Sequence, residues 1–560
     1  MDTNAAIPRP IHDGLVPWPD DLAAEYRRRG YWADRPLGEY VLTAADRWPD
    51  KVALVSGEGR LTYAELVFRM DAAAERLLDI GLRPGDRVIV QLPNDWQFVV
   101  FTLACFRAGI VPVMALPAHR SHELTHMALH AEAVALVVPD RVKDYDHQAL
   151  AEHVAASSPF VRWTFVSGEA RGDALPLEPL LAVADDDAAA TRSRMDGRAP
   201  HPDAVACFLL SGGTTGMPKL IARTHNDYAC NIRETSAISE VDERTVYLGT
   251  LPASHNFPLA CPGVLGTLFA GGTSVMLPSP EPVRAFTTIE RERVTLAAAV
   301  PAVVQRWLEY RRDRGGDQLA SLRVLQVGGS RLPDELAARV QPELGARLQQ
   351  VFGMAEGLIN MTRLDDPDEV IHATQGRPVC DADEVRVVGA DGADVNDGDP
   401  GLILTRGPYT PRGYFRAEEH NSRAFVDGWY GSGDVVVRRP DGNLVVLGRD
   451  KDIINRGGEK ISAEEVENVV YRLPEVDLVA AVAMPDPILG ERLCLCVSLM
   501  PGRTLELERV RTFMVEAGLA SFKLPERLDV LDDLPLTKVG KIDKRALRER
   551  VAAVVTGSST

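Results

Sequence analysis

The chain has 560 residues, of which 45% are hydrophobic and 25% charged, an ordinary globular composition whose length predicts several structural units around a large core. Its formal charge of −18 argues against wholesale binding to nucleic acid. The short basic run Arg27-Arg28-Arg29, with no aromatics interleaved, reads as a solvated helix face.

In chain order, the first 50 residues are Pro-rich and irregular and give way to a helix near LGEYVLTAADRWPD. LTYAELVFRMDAAAERLLDIGL carries apolar residues at helical spacing and stops at Gly81. DRVIVQLP predicts a short buried strand, DWQFVVFTLACFRAG the next helix, and AVALVVPD another strand. The polar, aperiodic stretch near 185–203 reads as a surface linker. A second series follows: AVACFLLS, TVYLGTLP, TSVMLPS, VTLAAAVPAVVQRWLEYR, LRVLQVGGS, and a helix in LPDELAARV. Strands alternating with helices predict an α/β fold with mainly parallel sheets covered on both faces.

Beyond residue 380, Asp-Gly turns between strand runs point to hairpins. From about 450 a helix in SAEEVENVVYRL, strands in DLVAAVAMP and LCLCVSL, another helix and a basic tail predict a small α+β domain. The expected division is therefore a large N-terminal domain over 1–449 and a small C-terminal domain over 450–560.

The seven cysteines are scattered, and the C-x-C of LCLCVSL reads as alternate strand residues, not a metal knuckle. MDTNAAIPRPIHDG has no apolar signal region, and FVVFTLACFRAGIVPVMAL, interrupted by Arg107, Gly and Pro, is too short to span a bilayer. The expectation is a reduced, cytoplasmic protein.

The chemistry concentrates in a few motifs. LLSGGTTGMPKLIARTH runs from a strand into Ser211-Gly212-Gly213-Thr214-Thr215-Gly216, followed by Met217-Pro218-Lys219. Three glycines let successive amides turn toward one anion, and three hydroxyls and a lysine add donors, so the loop suits a polyphosphate. It is not a Walker A loop, because Met-Pro separates Gly216 from Lys219. LQQVFGMAEG sets Phe352 beside Glu356 at a strand end, and LQVGGS places Gly328-Gly329 where a flat base could lie against backbone. Asp434 in WYGSGDVV and Arg449 in LGRDKDIINRGGEKIS suit ribose hydroxyls, and LPLTKVGKIDK carries Lys541 in a Gly-flanked tip. Each is weak alone.

In this order, from about residue 38 to 550, the set resembles the adenylate-forming superfamily of acyl-CoA synthetases, nonribosomal peptide adenylation domains and luciferases. The resemblance implies a small mobile C-terminal domain joined at a hinge near Lys451, with ATP and Mg²⁺ at the site. It implies that the Ser211–Gly216 loop and Lys219 hold the β- and γ-phosphates. It implies that Gly328, Gly329, Phe352, Gly353, Met354, Ala355 and Val446 surround the nucleotide, with Asp434 and Arg449 on the ribose. Glu356 is then the Mg²⁺-associated carboxylate, Lys541 contacts carboxylate and α-phosphate during adenylation, and RGGEKIS lines the thiol tunnel after domain rotation. One departure is Ala355, where many relatives have Thr.

LPASHNFPLACPG, with ALPAHRSHEL and VFGMAEGLINMTRLDD, resembles the stand-alone aryl-acid-activating ligases of siderophore pathways. That likeness implies Asn256 on a 2-hydroxyl, Phe257 packing on the ring, and His255 near the carboxylate or phosphate. Cys261 and Ile359 are then selectivity positions. Dihydroxybenzoate enzymes have Ser where Cys261 stands, so the expected substrate is salicylate first and 2,3-dihydroxybenzoate second. The chain ends soon after Lys541, so the implied acceptor is a phosphopantetheinylated aryl carrier protein supplied in trans. Rival expectations are an aryl-CoA ligase, a luciferase-like oxidoreductase and a catalytically silent nucleotide-binding protein.

Overall fold

A capping box starts the helix Tyr63–Ile80: the Thr62 side chain accepts from the Glu65 amide while the Glu65 carboxylate accepts from the Thr62 amide. Gly81 ends it with φ 111°, a left-handed cap. The computed structural model describes residues 13–183, 187–211, 217–456, 459–486, 489–517, 519, 523–537 and 540–555. The next helix, Trp96–Ala108, is buried from Phe98 to Ala108, so it is apolar all round, as a helix sandwiched between layers must be. Its single charge, Arg107, is neutralised by Asp71 at 2.7 Å.

Among the described residues, two sheets carry the N-terminal two thirds. A seven-stranded sheet runs Leu220–Thr224, Val205–Leu210, Val111–Met114, Arg87–Val90, Ala135–Pro139, Trp163–Ser167 and Leu175–Pro176. A nine-stranded sheet is built on the parallel strands Arg347–Met354, Val324–Gly328, Leu296–Ala299, Val246–Gly249, Thr273–Met276 and Val52–Ser56, with antiparallel strands at its edges. Helices cover both, and a shared apolar core joins them. This is the α/β arrangement that the strand–helix alternation predicts. As predicted, the region after 380 is an antiparallel sheet of hairpins, centred on Pro400–Arg406 and Trp429–Arg438.

The stretch near 185–203 is not a linker. Ala188–Asp196 is a helix whose N-terminus is capped by the Asp187 carboxylate on the amides of Ala189 and Ala190. Thr191 and Met195, one turn apart, are buried, and the helix lies on Tyr63–Ile80. Only two apolar contacts in nine residues hold that face, too few to register as a period. The rest of the attachment is ionic, Arg194 to Glu75 and Arg192 to Asp46. A further helix, Asp20–Arg28, occupies part of the N-terminal stretch read as irregular. Its Arg27 bridges Asp34 and Asp203, while Arg28 and Arg29 are exposed.

Residues from Ile454 onward build their own sheet on Val476–Asp486 and Gly490–Leu499, with cores separate from the N-terminal ones. Cys494 and Cys496 are alternate residues of the second strand, both buried. This unit is held against the larger one by hydrogen bonds: Gln305 Nε2 to Asp477 O at 2.6 Å, the Asp334 amide to Asn468 Oδ1 at 2.8 Å, and Ser462 Oγ to Leu447 O at 2.7 Å. Among the described residues, no helix is long and apolar enough to cross a membrane.

Candidate active site

The strand Val205–Leu210 pairs antiparallel with Leu220–Thr224, and the loop between them starts and ends on one reciprocal pair. The Ser211 amide donates to Lys219 O, and the Lys219 amide donates to Ser211 Oγ, both at 3.0 Å. Gly212, Gly213, Thr214, Thr215 and Gly216 lie outside the described residues. The Lys219 ammonium sits 5.5 Å from the centre of the Tyr414 ring. The Tyr414 hydroxyl donates to Glu356 Oε1 at 2.8 Å and lies 3.2 Å from the Tyr430 hydroxyl. Burial and the Glu356 charge keep the Tyr414 hydroxyl protonated, far above its ordinary range.

Glu356 follows the strand Arg347–Met354, at the turn into Gly357–Met361. Arg223, fully buried and paired with Asp227 at 2.6 Å, fixes that turn from behind. Its guanidinium donates to Ala355 O at 3.0 Å and to Tyr409 O at 3.1 Å. Gly357 completes the turn with φ 104°, where a Cβ would lie 2.6 Å from Thr410.

Positions expected at the nucleotide share a wall built on the paired strands Val324–Gly328 and Arg347–Met354. A Cβ on Gly353 would meet Ile359 Cδ1 at 2.5 Å, so the glycine lets the Ile359 side chain close over it. Phe352 is half-buried and Met354 buried on the same strand. Asp434 and Arg449 face each other in register across Trp429–Arg438 and Leu444–Arg449, with Arg449 Nε 2.7 Å from Asp434 Oδ1. Asp434 Oδ2 is buried with no hydrogen-bond partner among the described residues, an acceptor suited to a hydroxyl. Val446 is pinned through its backbone, its amide donating to Gln375 Oε1 and its carbonyl accepting from Arg331.

Lys541 enters this wall from the C-terminal unit. It sits on a tight turn: the Thr537 amide donates to Lys541 O, the Lys541 amide to Thr537 Oγ1, and Gly540 takes φ 81°. Lys541 Cε comes within 3.3 Å of where a Cβ on Gly329 would stand. Burial, and then the neighbouring Arg449, depress the ammonium below its ordinary range. Lys451 lies in the turn Asp450–Asp452, its side chain outside the described residues, as are Gly457 and Gly458 of the RGGEKIS loop.

The cluster HNFPLAC, buried from Asn256 to Cys261, lies next to Lys541 and Gly328. His255 caps the short helix Asn256–Ala260 by accepting from the Phe257 amide at Nδ1, so the neutral ring carries its proton on Nε2. Burial and the Lys541 charge push its pKa down to about 4, so it is neutral near pH 7. A Cβ on Gly328 would come 3.0 Å from Val351 O and 3.1 Å from the Phe257 ring, so glycine lets that ring pack closely against the strand. Tyr228 donates to Asn256 Oδ1 at 2.9 Å. Asn256 Nδ2 approaches Cys261 Sγ at 3.5 Å, and Asn231 Nδ2 approaches it at 3.8 Å. Burial lifts the Cys261 thiol to about 12, so it is no nucleophile at neutral pH.

Of the residues expected from sequence, Lys219, Gly328, Gly329, Phe352, Glu356, Asp434, Arg449 and Lys541 converge with His255, Asn256, Phe257, Cys261 and Ile359. Sequence reasoning missed Tyr414, Arg223, Tyr228 and Asn231. A charge inside the apolar strand LIART was the one legible signal among them.

The AMP-binding enzyme family matches residues 41–415, and the AMP-binding enzyme C-terminal domain matches residues 465–541. The chain is 57% identical over 541 residues to the salicylyl-CoA synthase / salicylate adenylyltransferase of a Streptomyces species, covering 96% of this chain and 98% of that one. It is 46% identical over 553 residues to the salicyl-AMP ligase / salicyl-S-ArCP synthetase of Mycobacterium tuberculosis, covering 98% and 96%. The apo structure of Mycobacterium smegmatis MbtA aligns with a TM-score of 0.73 at 44% identity, covering 96% and 99%. With the Asp434–Arg449 pair beside Lys541 and both family models matched in order, the chain belongs to the AMP-binding enzymes, the adenylate-forming superfamily.

Proposed function

We propose that this protein activates salicylate with ATP, with 2,3-dihydroxybenzoate second, and passes the aryl group to a phosphopantetheine thiol. The observation that carries the reading is the buried Asn256 amide, set between Tyr228 and Cys261 in a wall otherwise made of the buried apolar residues Phe257, Leu259 and Ala260. A polar group in such a wall is matched by a polar substituent on the ring. The names of the two curated relatives support the same substrate.

A carboxylate oxygen bonds to the α-phosphorus as the bond to the bridging β-oxygen breaks, giving aryl-AMP and pyrophosphate. Bringing anions together is the barrier, so positioning and charge neutralisation carry the catalysis. Lys219 with the glycine-rich loop takes the outer phosphates. Lys541 lies between the carboxylate and the α-phosphate, and His255 offers Nε2–H to an oxygen there. Asp434, through Oδ2, accepts from a ribose hydroxyl. Glu356, with Oε1 held by Tyr414, would offer Mg²⁺ a hard-oxygen donor, and the ion would supply charge neutralisation. In the second step the thiol sulfur bonds to the acyl carbon, AMP leaves, and the thiol proton goes to solvent. We propose that residues 450–560 rotate as a unit between the two steps about Lys451, with RGGEKIS facing the thiol.

The thiol arm is common to coenzyme A and to a carrier protein. One relative's name favours the former and the other's the latter. ATP–pyrophosphate exchange over a panel of benzoates tests the substrate, with salicylate expected first. A preference for 2,3-dihydroxybenzoate refutes the ranking, and absence of exchange with every carboxylate refutes the activity. Thioester formation with coenzyme A against a phosphopantetheinylated aryl carrier domain identifies the acceptor.

A further inference from the structure

Tyr228 belongs to no motif singled out in the sequence. It sits on the helix His225–Ile238 with its side chain fully buried, and its hydroxyl donates to Asn256 Oδ1 at 2.9 Å. Asn256 Nδ2 points the other way, to Cys261 Sγ at 3.5 Å. Asn256 Oδ1 is the sole hydrogen-bond partner of this hydroxyl among the described residues. If the Asn256 amide were turned over, its NH₂ would face the hydroxyl and the buried O–H would have no acceptor, which is the expensive case for a polar group. Burial also holds the hydroxyl protonated, well above its ordinary range, so it cannot become a pure acceptor. The amide therefore has one orientation, fixed from behind.

We propose that Tyr228 is a positioning residue for substrate selection: by holding the Asn256 carbonyl, it presents the Asn256 NH₂ to the bound acid and selects ortho substituents that accept a hydrogen bond. This rests on the aryl-acid reading of the pocket. In salicylate the hydroxyl hydrogen is bonded internally to the carboxylate, and the oxygen lone pairs are free to accept. In 2-aminobenzoate the nitrogen lone pair is delocalised into the ring, and the outward N–H would confront the Asn256 NH₂, donor against donor. Rejection of the amino acid thus comes from a built-in mismatch, not from size.

The test is ATP–pyrophosphate exchange with the full chain on salicylate, 2-aminobenzoate and benzoate. Tyr228→Phe frees the amide to turn and is expected to cut the salicylate-to-2-aminobenzoate ratio of kcat/KM by about tenfold or more. Benzoate, with no ortho group, should lose at least about fivefold less than salicylate. Asn256→Asp, which replaces the donor with an acceptor, should move the ratio toward 2-aminobenzoate without relying on Tyr228. An unchanged ratio in either variant, or an equal fall on all three acids in Tyr228→Phe, overturns the proposal. A wild-type enzyme that uses benzoate as well as salicylate overturns the pocket reading itself and this inference with it. A wild type that prefers salicylate, with the ratio unmoved by Tyr228→Phe, overturns this inference alone.

Discussion

The Tyr414 hydroxyl donates to Glu356 Oε1 at 2.8 Å while its ring carries the Lys219 ammonium 5.5 Å from the centroid. One side chain thus ties the lysine of the phosphate loop to the carboxylate assigned to Mg²⁺. Tyr414→Phe keeps the ring and removes only the hydrogen bond to a charged acceptor, an interaction of about 1.5–3 kcal/mol. Exchange activity should therefore fall about tenfold or more, and the Mg²⁺ concentration for half-maximal exchange should rise. An unaltered Mg²⁺ titration would remove Tyr414 from the site.

Lys541 reaches the adenylation wall beside Gly329, whereas the RGGEKIS loop is the segment assigned to the thiol. Lys541→Ala is expected to lower exchange by about 10²-fold or more, the scale of losing one transition-state charge contact. Thioester formation from chemically supplied aryl-AMP should be largely retained. Equal losses in the two half-reactions would place Lys541 outside the first step.

Arg223 is buried with Asp227 and holds the carbonyls of Ala355 and Tyr409. Arg223→Met strands the Asp227 carboxylate and frees the turn carrying Glu356. A loss of about 3–5 kcal/mol of stability follows for breaking a buried pair on one side. Denaturant unfolding measures it, and a variant as stable as the wild type would show that Asp227 finds other partners.

Tyr414, Arg223 and Tyr228 show where sequence reading stops. Strand–helix alternation, the glycine-rich loop and the HNF cluster are local patterns; the first identifies the fold, and the others carry the proposed phosphate grip and aryl pocket. Tyr414 and Glu356 are 58 positions apart, and Arg223 and Ala355 are 132 apart. Tyr228 sits in a helix whose burial pattern reads as core. Contacts that support a site from behind leave no period or spacing. The helix Ala188–Asp196 escaped for a related reason, because ion pairs to distant acids hold much of it.

Cys261 faces two amide donors, Asn256 Nδ2 and Asn231 Nδ2, and meets them only as a weak sulfur acceptor. A hydroxyl there would accept from them and still pair with a 3-hydroxyl on the ring. Cys261→Ser should shift the ratio of kcat/KM for 2,3-dihydroxybenzoate over salicylate upward by about tenfold, the value of pairing one buried hydroxyl. The exchange panel reads this directly, and an unmoved ratio makes Cys261 a packing residue.

Glu464 lies at the seam between the two units, its side chain 3.6 Å from where a Cβ on Gly448 would stand. Burial lifts its carboxyl from the ordinary 4.5 to about 7, with Glu467 and Asp434 adding to the rise and Lys544 and Arg331 opposing it. The docked arrangement therefore binds this proton more tightly than a water-exposed Glu464 does. Docking stability from this group is complete below about pH 4.5 and is lost as pH rises to about 7, above which nothing further changes. With Lys541 serving adenylation only when docked, as proposed, exchange should weaken over that window relative to thioester formation from supplied aryl-AMP. His255, lowered from 6.5 to about 4 by burial and then by the Lys541 charge, titrates between those values with the opposite sign, in both proteins alike. Glu464→Gln cannot ionise and should remove the Glu464 part of the change, so that the ratio of the two half-reactions falls less in the variant than in the wild type between about pH 5 and 7. The measurement is that ratio against pH in both proteins, and parallel profiles would take Glu464 out of the docking equilibrium.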